Sequence, residues 1–362
     1  MLRFCKDLRK LKPIATFAGI MDSLTQIVLG AACGEIALGK KIGNKALLFG
    51  AIGGTIPDLD VFMGRVFYSN TIDQLLFHRG FMHSIPFAII GSFIFGYLFY
   101  LLYNIGKRKN TTTQKDWIWL FFLSIFTHPI LDCFTPYGTQ LFLPFSDYRV
   151  AFNNIAVADP LYTLPFLISL IVLMFYKRGT TKRNWWLKAG LYISSFYMLL
   201  TVFNKLYVDN VFKKSFKKAG IEYSRFSVQP SILNNILWYG VAETEDDYKV
   251  AYYSLLDSSS TINDIVSVPK NHNLLDMSHN DLKKLAWFSN SYYNLASLSD
   301  GEFRYNDLRY PLLKNEGNSS SVFGFRLYKN GKRWEYKNDA ERFKDTSPSD
   351  LINAIWERMK GK

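Results

Sequence analysis

The chain has 362 residues, 49% of them hydrophobic, a formal net charge of +13 and three cysteines. That length allows two domains of ordinary size, and the cysteines, Cys5, Cys33 and Cys133, lie far apart with no CxxC pair, which argues against a disulfide framework or a cysteine zinc site. The positive charge would suggest nucleic acid in a soluble chain. Here the apolar residues are concentrated before about residue 204, and a membrane chain gathers Lys and Arg in its cytoplasmic loops, so no nucleic-acid partner is expected.

Residues 1–20, MLRFCKDLRKLKPIATFAGI, form a basic extension with no long apolar core and no small-residue cleavage site, so no cleaved signal peptide is expected. A more regular stretch starts at Met21, which makes Met21 an alternative start to Met1. Two short apolar runs, 24–38 and 46–57, joined by GKKIGNK, predict a short helical hairpin packed among longer helices. Four longer runs follow, at 84–103, 117–134, 160–176 and 185–203. At about 1.5 Å rise per residue, each crosses or nearly crosses a hydrocarbon layer of about 30 Å. The expected fold is an all-α polytopic membrane helix bundle over 21–203, followed by a soluble α+β domain over 204–362. The tail alternates aromatic and polar residues as strands do, KNGKRW has the look of a hairpin turn, and DLINAIWERMK that of an amphipathic helix.

The loops divide by charge. Three connections carry eleven Lys or Arg: Lys40, Lys41, Lys45, Lys107, Arg108, Lys109, Lys115, Lys177, Arg178, Lys182 and Arg183. The alternate connections, 58–83 and 135–159, hold Arg65, Arg79 and Arg149. The first set is therefore expected in the cytoplasm and the second outside, with the tail also outside.

The ionisable residues in or beside the apolar runs are Asp22, Asp58, Asp60, His78, Arg79, His83, His128, Asp132 and Asp159. By the loop charges, all of them fall at the external ends of their segments. His128 and Asp132 are four apart, about 400° of helical rotation, so both project from one face and can hold one ion. Asp58 and Asp60 of IPDLD point the same way if that stretch is extended. Imidazole with carboxylate is a ligand set for zinc, manganese or iron. Each residue alone has a structural explanation: an interfacial histidine, a cap, an ion pair of Asp132 with Arg149, an arginine at the headgroups. Glu35 reads as solvated near the cytoplasmic end, and His272 and His279 as surface residues of the tail. Five or more ligand-type side chains on one membrane face favour a metal site.

MDSLTQIVLGAACGE, TIPDLDVF, HRGFMHS, THPILDCFTPYGTQLFLPFSDYR and ADPLYTLP, in that order over about residues 21–176, resemble the bacterial membrane-bound metal-dependent hydrolases, a family of inner-membrane proteins. The resemblance implies a multi-pass protein of the inner membrane that uses a divalent metal. More remotely, the His-x3-Asp pair with upstream Asp and His is similar to the ligand pattern of zinc-dependent phospholipases C, which implies Asp58, His78, His83, His128 and Asp132 as ligands. One departure stands out: many members carry a histidine where this chain has Gln26, and an amide is a poor zinc ligand.

The expected function is a metal-dependent hydrolase, with zinc first and manganese as the alternative, acting at the external membrane face on a membrane-associated phosphoester or lipid-like substrate. Asp60 or Asp159 would serve as general base or as orienter of an imidazole, and Arg79 would neutralise an anionic substrate. Membrane lipids are the expected partners. A transporter that relays ions or protons through the same groups is the rival, and a membrane scaffold a third reading.

Overall fold

The computed structural model describes residues 13–361 except 300, 315, 318, 340 and 342–347. The expectations for residues 1–12 and for the Asp22 side chain lie outside the described residues. The chain forms two compact units, one of Ala18–Phe67 with Phe77–Val202, the other of Tyr68–Leu76 with the residues described from Phe203 onward.

In the first unit α1 (Pro13–Ile42) and α2 (Asn44–Thr55) form the short hairpin, with the break at Gly43, whose φ of 61° suits glycine. Glycines at four-residue spacing let the two backbones touch. A Cβ on Gly34 would sit 2.0 Å from the Ala46 carbonyl oxygen, and one on Gly50 would sit 2.2 Å from that of Gly30. Small residues at this spacing are how helices approach closely where lipid offers no hydrophobic drive. Gly50→Ala is therefore expected to destabilise the protein by about 1–3 kcal/mol through overpacking, read as a lowered melting temperature of the detergent-purified chain.

A single turn, Pro57–Leu59, leads into α3 (Asp60–Phe67), and α4 (Thr71–Phe77) follows. Next come α5 (Ile85–Tyr103), capped by Ser84, and α6 (Gln114–Asp132), opened by a reciprocal capping box of Thr113 and Asp116. The remaining helices here are α7 (Pro160–Met174), capped by Asp159, and the first part of α8 (Thr181–Lys218).

Of these, α5 and α8 are long and apolar enough to cross a membrane, and α2 with Pro57–Phe67, bent by 43°, makes a third if the pair is one span. Of the four long runs expected as spans, 84–103 and 185–203 fall in these two helices. α7 has 15 residues, about 22 Å of helix, short of the hydrocarbon thickness. α6 is helical as expected; it buries Trp117, Leu120, Phe121 and Ile125 in a core with Leu38, Ala46 and Tyr103, and so behaves as a packed central helix.

The basic connections meet at one end of this unit. Lys41 pairs with Asp116 at 2.6 Å, Arg108 lies 4.9 Å from the Tyr103 ring centre, and Asn44 donates to the Met174 carbonyl. Arg183, counted among the loop charges, is instead buried and grips Glu35 through two bonds of 2.7 and 2.6 Å. Glu35 is therefore buried and paired, not solvated.

The second unit holds two four-stranded antiparallel sheets in simple meander order, β1 (Arg225–Pro230) to β4 (Ile265–Pro269), and β5 (Tyr293–Ser297) to β8 (Arg333–Asn338). Two helices, α9 (Asn280–Phe288) and the amphipathic α10 (Pro348–Met359), complete it. The expected hairpin at KNGKRW joins β7 (Gly324–Asn330) to β8, with Asn330 opposite Arg333 and Gly331 at φ 61°. The far half of α8 packs Val208, Val211, Phe212 and Phe216 on Trp238 and Ala251 of the first sheet, where Gly240 leaves room for the Phe212 ring.

The segment around α4 belongs here, which nothing in the sequence signalled. Ile72 enters the core with Leu282, Leu285 and Leu295, Asn70 donates to the Trp334 carbonyl, and Asp73 binds Lys284 and Arg333 at 2.5 and 2.8 Å. Burial opposes ionisation of Asp73 and Asp281. Lys284 and Arg333 outweigh it for Asp73, as Arg333 and the Trp334 N–H do for Asp281, so both carboxyls lie below the usual range. A lowered folded pKa stabilises fully above the ordinary carboxylate range and is lost as pH falls through the folded value. Acid titration followed by near-ultraviolet circular dichroism should show this loss in the wild type, and a smaller pH dependence in Arg333→Ala.

Candidate metal centre

The ends of four segments of the first unit supply the site: the turn at Pro57–Leu59 with the start of α3, the loop His78–His83, and the last turn of α6, with α1 alongside. Pro57 starts the turn that presents Asp58, and the adjoining Asp60 is fully buried. His83 ends a one-turn helix, Phe81–His83, immediately before the Ser84 cap of α5. His128 and Asp132 share one face of α6, as their spacing requires.

Asp58, His83 and His128 each offer one ligand atom, and the three atoms lie within 4.8 Å of one another. The Nε2 atoms of His83 and His128 are 3.2 Å apart, and Asp58 Oδ1 is 3.5 and 3.4 Å from them. A tetrahedral zinc with bonds of about 2.0–2.1 Å separates its ligand atoms by about 3.3 Å. Asp132 Oδ2 lies 3.4 and 3.5 Å from the same two ring nitrogens, adjoining the group of three without belonging to it.

The tautomers follow from the far sides of the rings. His128 Nδ1 is 2.6 Å from the Gly54 carbonyl oxygen, and His83 Nδ1 is 3.0 Å from Asp60 Oδ2. The Gly54 carbonyl is an acceptor, so His128 Nδ1 carries the hydrogen and, in the neutral ring, the lone pair of Nε2 turns inward; the Asp60 carboxylate stands at the far nitrogen of His83, which favours the same tautomer there. Two lone pairs and two carboxylate oxygens then converge on one small volume, an arrangement that a cation satisfies. Supporting this, Gln26 Oε1 is buried without a hydrogen-bond partner among the described residues.

Asp60 organises the surroundings. Its carboxylate accepts from the Arg79 backbone N–H at 2.9 Å, faces His83 Nδ1, and lies 2.8 Å from His78 Nδ1. Arg79 has a left-handed backbone, φ 59°, which is uncommon for a side-chain-bearing residue and is fixed here by that bond. Its guanidinium is buried, with Nε 3.2 Å from Asp132 Oδ2 and Nη1 donating to Thr135 Oγ1 at 2.8 Å. The partner of Asp132 is thus Arg79, where the sequence had suggested Arg149. Arg149 instead lies 5.1 Å from the ring centre of Tyr137, with Arg79 4.9 Å from the same ring.

The other named residues fall as follows. His78 is partly exposed, tied to Asp60 and outside the three-atom group. Asp159 caps α7 by accepting from Leu161 N–H and accepts the Tyr197 hydroxyl at 2.8 Å, contacts that account for it as a cap. Gln26, set apart in the sequence as a departure, donates to Asp132 Oδ1 at 2.8 Å and so orients that carboxylate. Thr135, Tyr137 and the Gly54 carbonyl are participants that sequence reading missed. The signals for the first two were present in TPYG, read most simply as a helix stop.

A protein-family model described as YdjM inner membrane protein matches residues 21–208, just over half of the chain. The chain is also 31% identical over 159 residues to Uncharacterized protein YfhP of Bacillus subtilis (strain 168). That match covers 42% of this chain and 46% of the relative, so the chain spans about half the length of the curated protein it matches. No solved structure matches. The chain belongs to the YdjM inner membrane protein family.

Proposed function

For this inner-membrane family member we propose a metal-dependent hydrolase that cleaves a phosphoester or lipid-like substrate at the membrane face bearing the His/Asp group, in a polytopic bundle completed by the shorter apolar helices. The observation that carries the reading is the convergence of His83 Nε2, His128 Nε2 and Asp58 Oδ1, with both imidazoles oriented by acceptors on their far nitrogens. Three protein ligands with a fourth position open is the pattern of catalytic zinc sites, and imidazole with carboxylate also suits manganese. A divalent ion held there would supply Lewis acidity and bring the pKa of its water toward neutrality.

The chain's own residues take distinct parts in this reading. Asp60 positions His83 and, through His78 Nδ1, leaves His78 Nε2 as a proton carrier at the partly exposed edge. Arg79 balances the Asp132 charge, and Gln26 fixes the Asp132 carboxylate from its other side. Asp132 adjoins the three ligand atoms and would add negative charge beside an ion held by them.

A transporter would need ionisable groups continuing along the bundle. The buried one toward the basic end, Glu35, is neutralised by Arg183. The test is a panel of soluble phosphodiesters and phospholipids offered to zinc- or manganese-loaded protein, with Asp58→Ala as the control. Turnover by the wild type alone supports the proposal; equal turnover by both, or by neither, rejects it.

A further inference from the structure

Residues 141–152, LFLPFSDYRVAF, form a loop tied at both ends to the rim of the His/Asp group. At its start, Gln140 N–H donates to the Arg79 carbonyl at 3.1 Å, and the Leu141 carbonyl accepts from Ile85 N–H at 2.9 Å. At its end, Thr139 and Val150 exchange backbone bonds of 3.1 and 2.9 Å, and Phe152 N–H donates to the Cys133 carbonyl at 2.7 Å. Between these ties the loop turns on itself through Phe145 N–H to the Phe142 carbonyl, and Gln140 Nε2 reaches the Asp147 carbonyl.

This closed loop displays aromatic side chains outward. Phe145 is 87% and Tyr148 66% exposed, and Phe142 and Phe152 are exposed as well. Four large rings on one short loop cost free energy in water and need a cover. Two observations identify it as the boundary between headgroups and acyl chains. The loop is bonded to Ile85, the first residue of α5, and α5 is a candidate span whose Ile89, Ile90, Phe93 and Ile94 are exposed along its length. The aromatics therefore continue a lipid-facing surface at the end of a span, which is where interfacial belts lie. The residue types also fit: aromatic rings with an exposed tyrosine hydroxyl suit a half-wet layer at the headgroups.

We propose that loop 141–152 is a membrane-interface loop that holds the rim of the His/Asp group at headgroup depth, so that the molecule reaching the group is the phosphoester of a bilayer lipid. The choice of lipid phosphoester rests on the hydrolase reading above; the depth of the loop does not.

The experiment places nitroxide labels at Phe145→Cys and, separately, Tyr148→Cys in a Cys5→Ser background. The full chain is reconstituted in phosphatidylcholine and phosphatidylglycerol vesicles, and relaxation by oxygen is compared with relaxation by a water-soluble nickel complex. Oxygen should dominate at both positions, and the result should persist as the protein is diluted in lipid. Dominance of nickel at both positions would place the loop in water and overturn the proposal. Spin–spin broadening that vanishes on dilution would show a second copy covering the loop, and would also overturn it. Metal content equal to that of the parent protein verifies that each labelled variant is folded. For the substrate, the loaded parent protein should hydrolyse a long-chain phospholipid in vesicles faster than the same headgroup on a short soluble chain. A reversed preference would reject the lipid phosphoester. Absence of turnover on both would reject the hydrolase reading, leaving the depth result to stand or fall on its own.

Discussion

Alanine at His128 should abolish high-affinity binding of a divalent metal, if Asp58, His83 and His128 are its ligands as proposed. Loss of a partner that only supports a ligand costs about 10–100-fold in metal affinity, and loss of one of three direct ligands should exceed that. His128→Ala and Asp58→Ala should therefore fall beyond that range, while Asp60→Asn, which disturbs His83 and His78 through their Nδ1 atoms, should fall within it. Elemental analysis and zinc titration of the detergent-purified proteins read this directly. A variant that binds zinc as the wild type does would show that the convergence is not a metal site.

Breaking the Glu35–Arg183 pair should be the costliest single change to stability. Arg183 is 3% exposed and Glu35 7%, and the guanidinium also donates to Asn44 Oδ1 and to the carbonyls of Leu173 and Tyr176. Glu35→Ala leaves a buried cation without its counter-charge, an event that costs about 3–5 kcal/mol. The double change Glu35→Leu with Arg183→Leu removes both charges and should recover a large part of that loss, since a buried pair is often matched by apolar residues of similar volume. Thermal melts of the two proteins decide it; a single variant that melts with the wild type would mean that water reaches Arg183.

Much of the site was legible because its chemistry depends on spacing. His128 and Asp132 share a helical face by arithmetic, and the loop charges gather IPDLD, HRGFMH and HPILD at one end. Which of these side chains meet was not legible. His78 and His83 lie five residues apart in one loop, yet only His83 points inward, because the left-handed backbone at Arg79 turns the chain between them. Gln26 looked like a missing ligand and proves to be the donor that aims Asp132.

By itself, the sequence determined the membrane character of the first part, the strand-rich tail, the hairpin at 24–57 and the face on which ligand-type residues gather. These follow from hydropathy, period and charge, which are local properties or sums along the chain. Tertiary structure alone decided that α6 is a packed central helix, that Arg183 is buried against Glu35, that residues 68–76 fold with the tail, and that Asp132 pairs with Arg79 rather than Arg149. Each of these depends on partners tens to hundreds of residues apart, and burial and pairing at such separations are set by packing that no local pattern encodes.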